Sequence, residues 1–141
     1  MRIDSVETLT SLSAVELAGA IVRGEVSATE AVEAHIARIE QVNHDLNAVV
    51  VKTYAAARGE AITADQRRAR GEPLGPLHGV PITIKEAFDL AATPSTYGLP
   101  SRARQIATRD DPYVQRLRRA GAIILGKTNV SQLLLYIESD N

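Results

Sequence analysis

Lys85 is the residue in this sequence best placed to do chemistry. It closes the apolar run Val80-Pro-Ile-Thr-Ile84 and follows a loop crowded with glycine and proline. In a parallel sheet, the C-terminal end of a strand presents side chains to a ligand crevice. A lysine there either snorkels its ammonium to solvent or serves as a functional ammonium or amine. To act as a base, its pKa must fall from about 10.4 to near 7, roughly 4 kcal/mol of differential solvation. Burial supplies that where no carboxylate is directed at the amine. Glu86 is adjacent, but neighbouring side chains on a strand point to opposite faces, so adjacency makes no ion pair.

Other residue types of chemical interest are less well placed. His78 lies in the Gly-Pro loop, within reach of a ligand or filling a structural role. His35 and His44 flank a helix without a partner at metal-ligand spacing, so no metal site is expected. Gly126-Lys127-Thr128 lacks the preceding glycine spacing of a phosphate loop. It reads as a segment that follows a strand, with Thr128 or Asn129 capping a last helix. Ser95, Ser101, Ser131 and Ser139 have no glycine-rich setting, and none sits in a Gly-x-Ser-x-Gly elbow. Arginines cluster at 67, 68 and 70 and again at 116, 118 and 119, each time on a predicted helix. Acidic residues balance them, so solvated helix faces explain them better than nucleic acid does.

The elements that would position Lys85 can be read from capping and periodicity. Ser13-Ala-Val-Glu16 and Ser27-Ala-Thr-Glu30 are capping-box patterns, each followed by apolar residues at helical spacing. The first helix should end at Gly24 and the second near Asn43. Asn47–Val51 reads as a buried strand, and about Tyr54 to Arg70 as a third helix. Three glycines and three prolines between residues 71 and 81 demand an ordered turn-rich loop. Val80–Lys85 is a second strand, and 86–110 a long irregular loop of the kind that often carries function. Asp111-Pro112 starts a helix that runs to Gly121, and Ala122–Leu125 is a third strand. Leu133–Ile137 suggests an apolar helix face, and Glu138-Ser139-Asp140-Asn141 follows without a stop signal, as if a domain were interrupted. Helices alternating with apolar strands predict an α/β architecture with a partly parallel sheet, short of neighbours for its edges.

Composition sets the outer limits. With 141 residues there is room for one domain, and 45% hydrophobic with 23% charged residues argues against a disordered chain. A net charge of −1 gives no field to gather nucleic acid or an anionic membrane, and no apolar run approaches a membrane span. The absence of cysteine excludes disulfide and thiolate chemistry. A cytoplasmic protein without cofactor is the expectation.

Two blocks carry a resemblance. Gly75-Pro-Leu-His-Gly-Val-Pro-Ile-Thr-Ile-Lys85-Glu86 resembles the segment around the catalytic lysine of the amidase-signature family. Arg119-Ala-Gly-Ala-Ile-Ile-Leu-Gly-Lys-Thr-Asn129 resembles the family's next block, and the likeness covers essentially the whole chain. It implies the N-terminal part of the amidase-signature fold: residues 1–45 as a helical region and 46–141 as the start of the α/β core, with helices packed on an incomplete mixed sheet. It also implies hydrolysis of carbon–nitrogen bonds in small-molecule amides by a Ser–cis-Ser–Lys triad, in which unprotonated lysine takes a proton from the bridging serine. Lys85 matches the lysine. Both serines belong to a Gly/Ser-rich segment that in relatives follows the position of residue 141, so this chain alone is expected to be inactive. Thr96, Tyr97 and Gly98 are candidate substrate contacts, a plain surface loop being the alternative. Glu86 stands where relatives often have aspartate, and Ser131 where proline is common. A homodimer contact through the N-terminal helices is compatible with the family. A non-catalytic α/β binding module and a pseudoenzyme remnant are the competing readings.

Overall fold

The computed structural model describes residues 5–139. Helices α1 (Val6–Ser11), α2 (Ala14–Arg23) and α3 (Ala28–Leu46) lead into strand β1 (Val49–Lys52), and helix α4 (Tyr54–Ala69) follows. Strand β2 (Pro81–Lys85), helix α5 (Pro112–Arg119) and strand β3 (Ile123–Thr128) complete the core, with 3-10 turns at Pro100–Arg102 and Gln132–Leu134. The mixed α/β class expected from the sequence is the class observed. Met1–Asp4 and the final pair, Asp140–Asn141, lie outside the described residues.

Both capping boxes form. The Glu16 carboxylate accepts from the Ser13 N–H at 2.8 Å, and the Ser13 hydroxyl oxygen accepts from the Glu16 N–H. Ser27 and Glu30 repeat the pair at the start of α3. That second helix start gains a further acceptor from α4: Asp65 takes the N–H groups of Ala28 and Thr29 at 2.7 and 3.0 Å. An N-terminal turn whose orphan donors are satisfied partly from its own capping box and partly from Asp65 is fixed against α4 as well as started.

The sheet has the order β1–β3–β2, with β1 antiparallel and β2 parallel to β3. Alternate residues of β3 serve two cores. Ile123 and Leu125 join Leu17, Ile21, Val32 and the buried alanines of α3 and α4, whereas Ile124 joins Ile84, Leu90 and Val114. The sheet is therefore packed on both faces, by α2–α4 on one and by α5 with the loop after β2 on the other.

The two sequence blocks lie against each other. Leu77 donates its N–H to the Ala120 carbonyl at 2.8 Å, and Gly79 donates to that of Gly121 at 2.9 Å. Approach is close enough that a Cβ at Gly75 would stand 2.3 Å from the Ala120 carbonyl oxygen. Gly75 thus serves this contact between the loop and the α5–β3 turn, whereas a Cβ at Gly79 would meet Ala28 and Ile21 of the helices on the other side.

Several boundaries differ from those read in the sequence. A short helix, α1, precedes the two expected ones, capped by Ser5 accepting from Thr8. Helix α3 continues past Asn43 to Leu46. Strand β3 runs three residues beyond Leu125, so Gly126, Lys127 and Thr128 lie within the strand rather than after it. Leu133–Ile137 forms no apolar helix: Leu133 and Leu134 have φ of 53° and 62°, outside the right-handed helical region. Asn129 does accept a backbone N–H, but from Val130 in a turn, and not as a helix cap.

Candidate active site

Lys85 is the last residue of β2, paired in register with Thr128 of β3. Its side chain is exposed, while Ile84 before it and Glu86 after it are buried. Strand alternation thus separates Lys85 from Glu86, as the sequence predicts. Among the described residues no hydrogen bond or ion pair engages the Lys85 ammonium, and the burial expected around a base is not supplied by residues 5–139.

Glu86 and Lys127 occupy the other face. The Glu86 carboxylate, 3% exposed, accepts from the backbone N–H of Thr96 and, at 3.0 Å, from that of Tyr97. Tyr97 has φ 55° and Gly98 has φ 70°, so the loop turns through two left-handed residues where the carboxylate holds it. Gly98 donates its N–H to the Thr96 hydroxyl at 3.1 Å, and the Arg102 guanidinium lies 4.7 Å over the Tyr97 ring.

Lys127 is fully buried. Its Nζ donates to the Pro94 carbonyl and, at 2.8 Å, to Ser95 Oγ, which in turn donates to the Phe88 carbonyl at 3.3 Å. Burial holds the Lys127 pKa below the ordinary lysine value, and the negative charges of Glu86 and Asp89 oppose that effect. The register shift between β2 and β3 is what places this lysine. Ile82 pairs with Ile124 but Thr83 pairs with Gly126, so one extra residue of β3 brings Lys127 beside Ile84. Ser95 and Lys127 have the spacing of a lysine-activated serine. Both are buried, at 3% and 0% exposure, so no substrate carbonyl can reach the hydroxyl.

A cleft of about 540 Å³ opens beside this segment, lined by Val49, Val51, Thr96, Gly98, Leu99 and Val130, with Glu86 beneath. Its size and its mainly apolar wall suit a small organic group. Thr96 and Gly98, two of the three candidate contacts, line it. The third, Tyr97, and Lys85 are not among its lining residues. The structure therefore brings the 96–98 loop to Glu86 and not to the Lys85 ammonium. His78 is buried, its Nε2 3.0 Å from the Ala64 carbonyl oxygen, which is a structural position. The arginine clusters are partly spent on ion pairs, Arg67 with Glu72 at 2.9 Å and Arg118 with Glu60 at 2.6 Å. Sequence reasoning missed Lys127, whose only signal was an apolar run continuing through Gly126, and it gave Glu86 no partner.

Comparison with known proteins places the chain. A family model described as Amidase matches residues 30–141. The chain is 47% identical over 129 residues to the indoleacetamide hydrolase of Bradyrhizobium diazoefficiens, covering 92% of this chain and 25% of that protein. It is 46% identical over 140 residues to fatty-acid amide hydrolase 2-B of Danio rerio, covering 94% and 27%. A solved fatty acid amide hydrolase superposes with a TM-score of 0.91 at 28% identity, over 97% of this chain and 24% of that one. The chain thus spans about a quarter of the length of the curated relatives it matches.

Proposed function

This chain belongs to the amidase family, and we propose that it supplies the general base of an amide hydrolase, with Lys85 as that base. The observation that carries the reading is the position of Lys85: at the C-terminal end of a strand parallel to its neighbour, within the 75–86 block, with its amine unengaged among residues 5–139. A free amine at such a strand end is available to the side chains of another segment.

In the proposed reaction Lys85 in its neutral form accepts a proton from a bridging serine. That serine takes the proton of a second serine, whose oxygen attacks the amide carbonyl. Backbone N–H groups stabilise the oxyanion of the tetrahedral intermediate, and collapse expels ammonia or an amine carrying the relayed proton. Water then hydrolyses the acyl–serine ester to the carboxylic acid. Both serines belong to a Gly/Ser-rich segment outside residues 1–141, and the 141-residue chain alone is therefore inactive. The substrates are small-molecule amides, in keeping with the indoleacetamide and fatty-acid amides in the names of the relatives.

The test uses the intact protein that contains this chain, with ammonia release from indoleacetamide and from a fatty-acid primary amide as the assay. Lys85→Ala should lower kcat by a factor of about 100 to 10,000 with the melting temperature retained, since general-base contributions are of that order. Lys85→Arg should fail alike, because a guanidinium keeps its proton at working pH. Turnover near the wild-type level in either variant overturns the assignment.

A further inference from the structure

Lys127 and Glu86 are charged side chains for which the proposed hydrolysis has no use, yet both are buried beneath the same short segment. Lys127 reaches it from β3 and holds the Pro94 carbonyl and the Ser95 hydroxyl. Glu86 reaches it from the residue after β2 and holds the N–H groups of Thr96 and Tyr97. Four consecutive residues, 94 to 97, are thereby tied to two adjacent strand ends through side chains.

Apolar packing would be a less costly way to anchor an indifferent loop, because each buried charge carries a desolvation penalty that only good hydrogen bonding offsets. What charges add is direction. A carboxylate facing two successive N–H groups fixes both peptide planes, and here it fixes a turn whose residues 97 and 98 have left-handed backbones. An ammonium with a carbonyl and a hydroxyl as acceptors fixes the two residues before them. Thr96 and Gly98, within and next to the segment so held, form part of the wall of the apolar cleft.

We propose that the apolar cleft takes the acyl group of the amide, and that Glu86 and Lys127 are positioning residues that set segment 94–98 as one wall of it and thereby govern how well that group is held. Because Glu86 immediately follows Lys85, the same strand end carries both the base and the anchor of this wall. The proposal rests on the amidase reading for its substrate and on the hydrogen bonds above for its geometry.

The experiment uses the intact protein, with Glu86→Gln, Lys127→Met and the double variant, against a series of primary amides of increasing acyl length. Glutamine keeps one acceptor oxygen but presents an amide N–H₂ to the second backbone N–H, so only one of the two contacts survives. For the best-hydrolysed member of the series, KM should rise about tenfold in each single variant with kcat changed less than about threefold. The double variant should rise little further, since both act through one segment. Glu86→Asp, which retains the charge, should recover part of the loss. A lowered melting temperature with unchanged KM would make the pair merely structural and overturn the proposal. So would a fall in kcat alone accompanied by a shifted pH profile, which would place the effect on Lys85. Hydrogen exchange on the same intact protein separates the two readings. If the wild-type protein hydrolyses no amide, the amidase reading fails by itself. The anchoring of segment 94–98 by Glu86 is then read separately: it stands if Glu86→Gln speeds exchange at Thr96 and Tyr97, and falls, taking the positioning proposal with it, if exchange there is unchanged.

Discussion

At the scale of single residues, Lys127 converts a packing observation into a pH dependence. Its pKa in the folded chain lies below the ordinary value of 10.5, chiefly because burial penalises the ammonium. Between the folded value and 10.5, the unfolded chain binds a proton that the folded chain has released. Stability rises with pH wherever the unfolded state holds more protons, so the penalty of burying Lys127 is full below its folded pKa and fades as pH climbs toward 10.5. Denaturant unfolding of the intact protein, followed from neutral pH to about 10, should therefore show the wild type gaining on Lys127→Met. A difference between the two that stays flat with pH would mean that Lys127 titrates alike folded and unfolded. Little of this was legible in the sequence. A lone lysine after Gly126 reads as a loop residue, and its burial depends on an extra residue in β3 that alternation counting does not anticipate. The place of Lys85 at the end of β2 was legible because its signal is local, an apolar strand ending on one charged residue.

Elements were readable where their signals are short-range and obscure where the decisive partner is distant. The boxes at Ser13 and Ser27 lie within four residues, and both formed as expected. Ser27→Ala should cost about 1 kcal/mol, the usual loss for an N-cap, measurable as a shift in denaturant midpoint at constant slope. The true end of β3 depends instead on β1, since a Cβ at Gly126 would stand 2.2 Å from the Val51 carbonyl oxygen. Gly126 is thus a strand residue required by a neighbour about 75 positions away, although in sequence it resembles a strand terminator. Gly126→Ala should force β1 outward and destabilise by about 1–3 kcal/mol, the range seen for overpacked sites. Tyr54, at the start of α4, donates its hydroxyl to Glu40 of α3 at 3.0 Å, and burial followed by that contact raises its pKa to about 12. The folded chain keeps this proton between pH 10.0 and about 12 while the unfolded chain loses it, so the contribution is present below that range and is lost on rising through it. An alkaline titration of phenolate absorbance should show a late-ionising component that is absent in Tyr54→Phe. Its persistence in that variant would assign the late proton elsewhere.

For the molecule as a whole, the sheet of the described residues leaves β1 and β2 as edges, with β3 alone flanked on both sides. Beyond β3 the chain carries Leu135, Tyr136 and Ile137 at 71%, 75% and 105% exposure, next to half-exposed Leu133 and Leu134. Five consecutive apolar residues in solvent form a contiguous patch, which in a chain of this size drives association. The sequence indicated the unmatched edges, because three strands were all it contained. It misplaced the patch by reading helical periodicity into Leu133–Ile137, where apolar residues without interruption fit a helix and an irregular turn equally well. The consequence concerns the 141-residue chain prepared alone. Light scattering should show its apparent mass rising with concentration, and Leu135→Lys with Ile137→Lys should suppress the rise. Both side chains are exposed, so the pair should shift stability by no more than about 0.5 kcal/mol per site, and a melt distinguishes lost association from lost folding. Association undiminished in the double variant would move its cause to the strand edges, where an unpaired ladder at β1 or β2 recruits a second chain by backbone hydrogen bonds, and a lysine at the exposed Val50 would then be the substitution that blocks it.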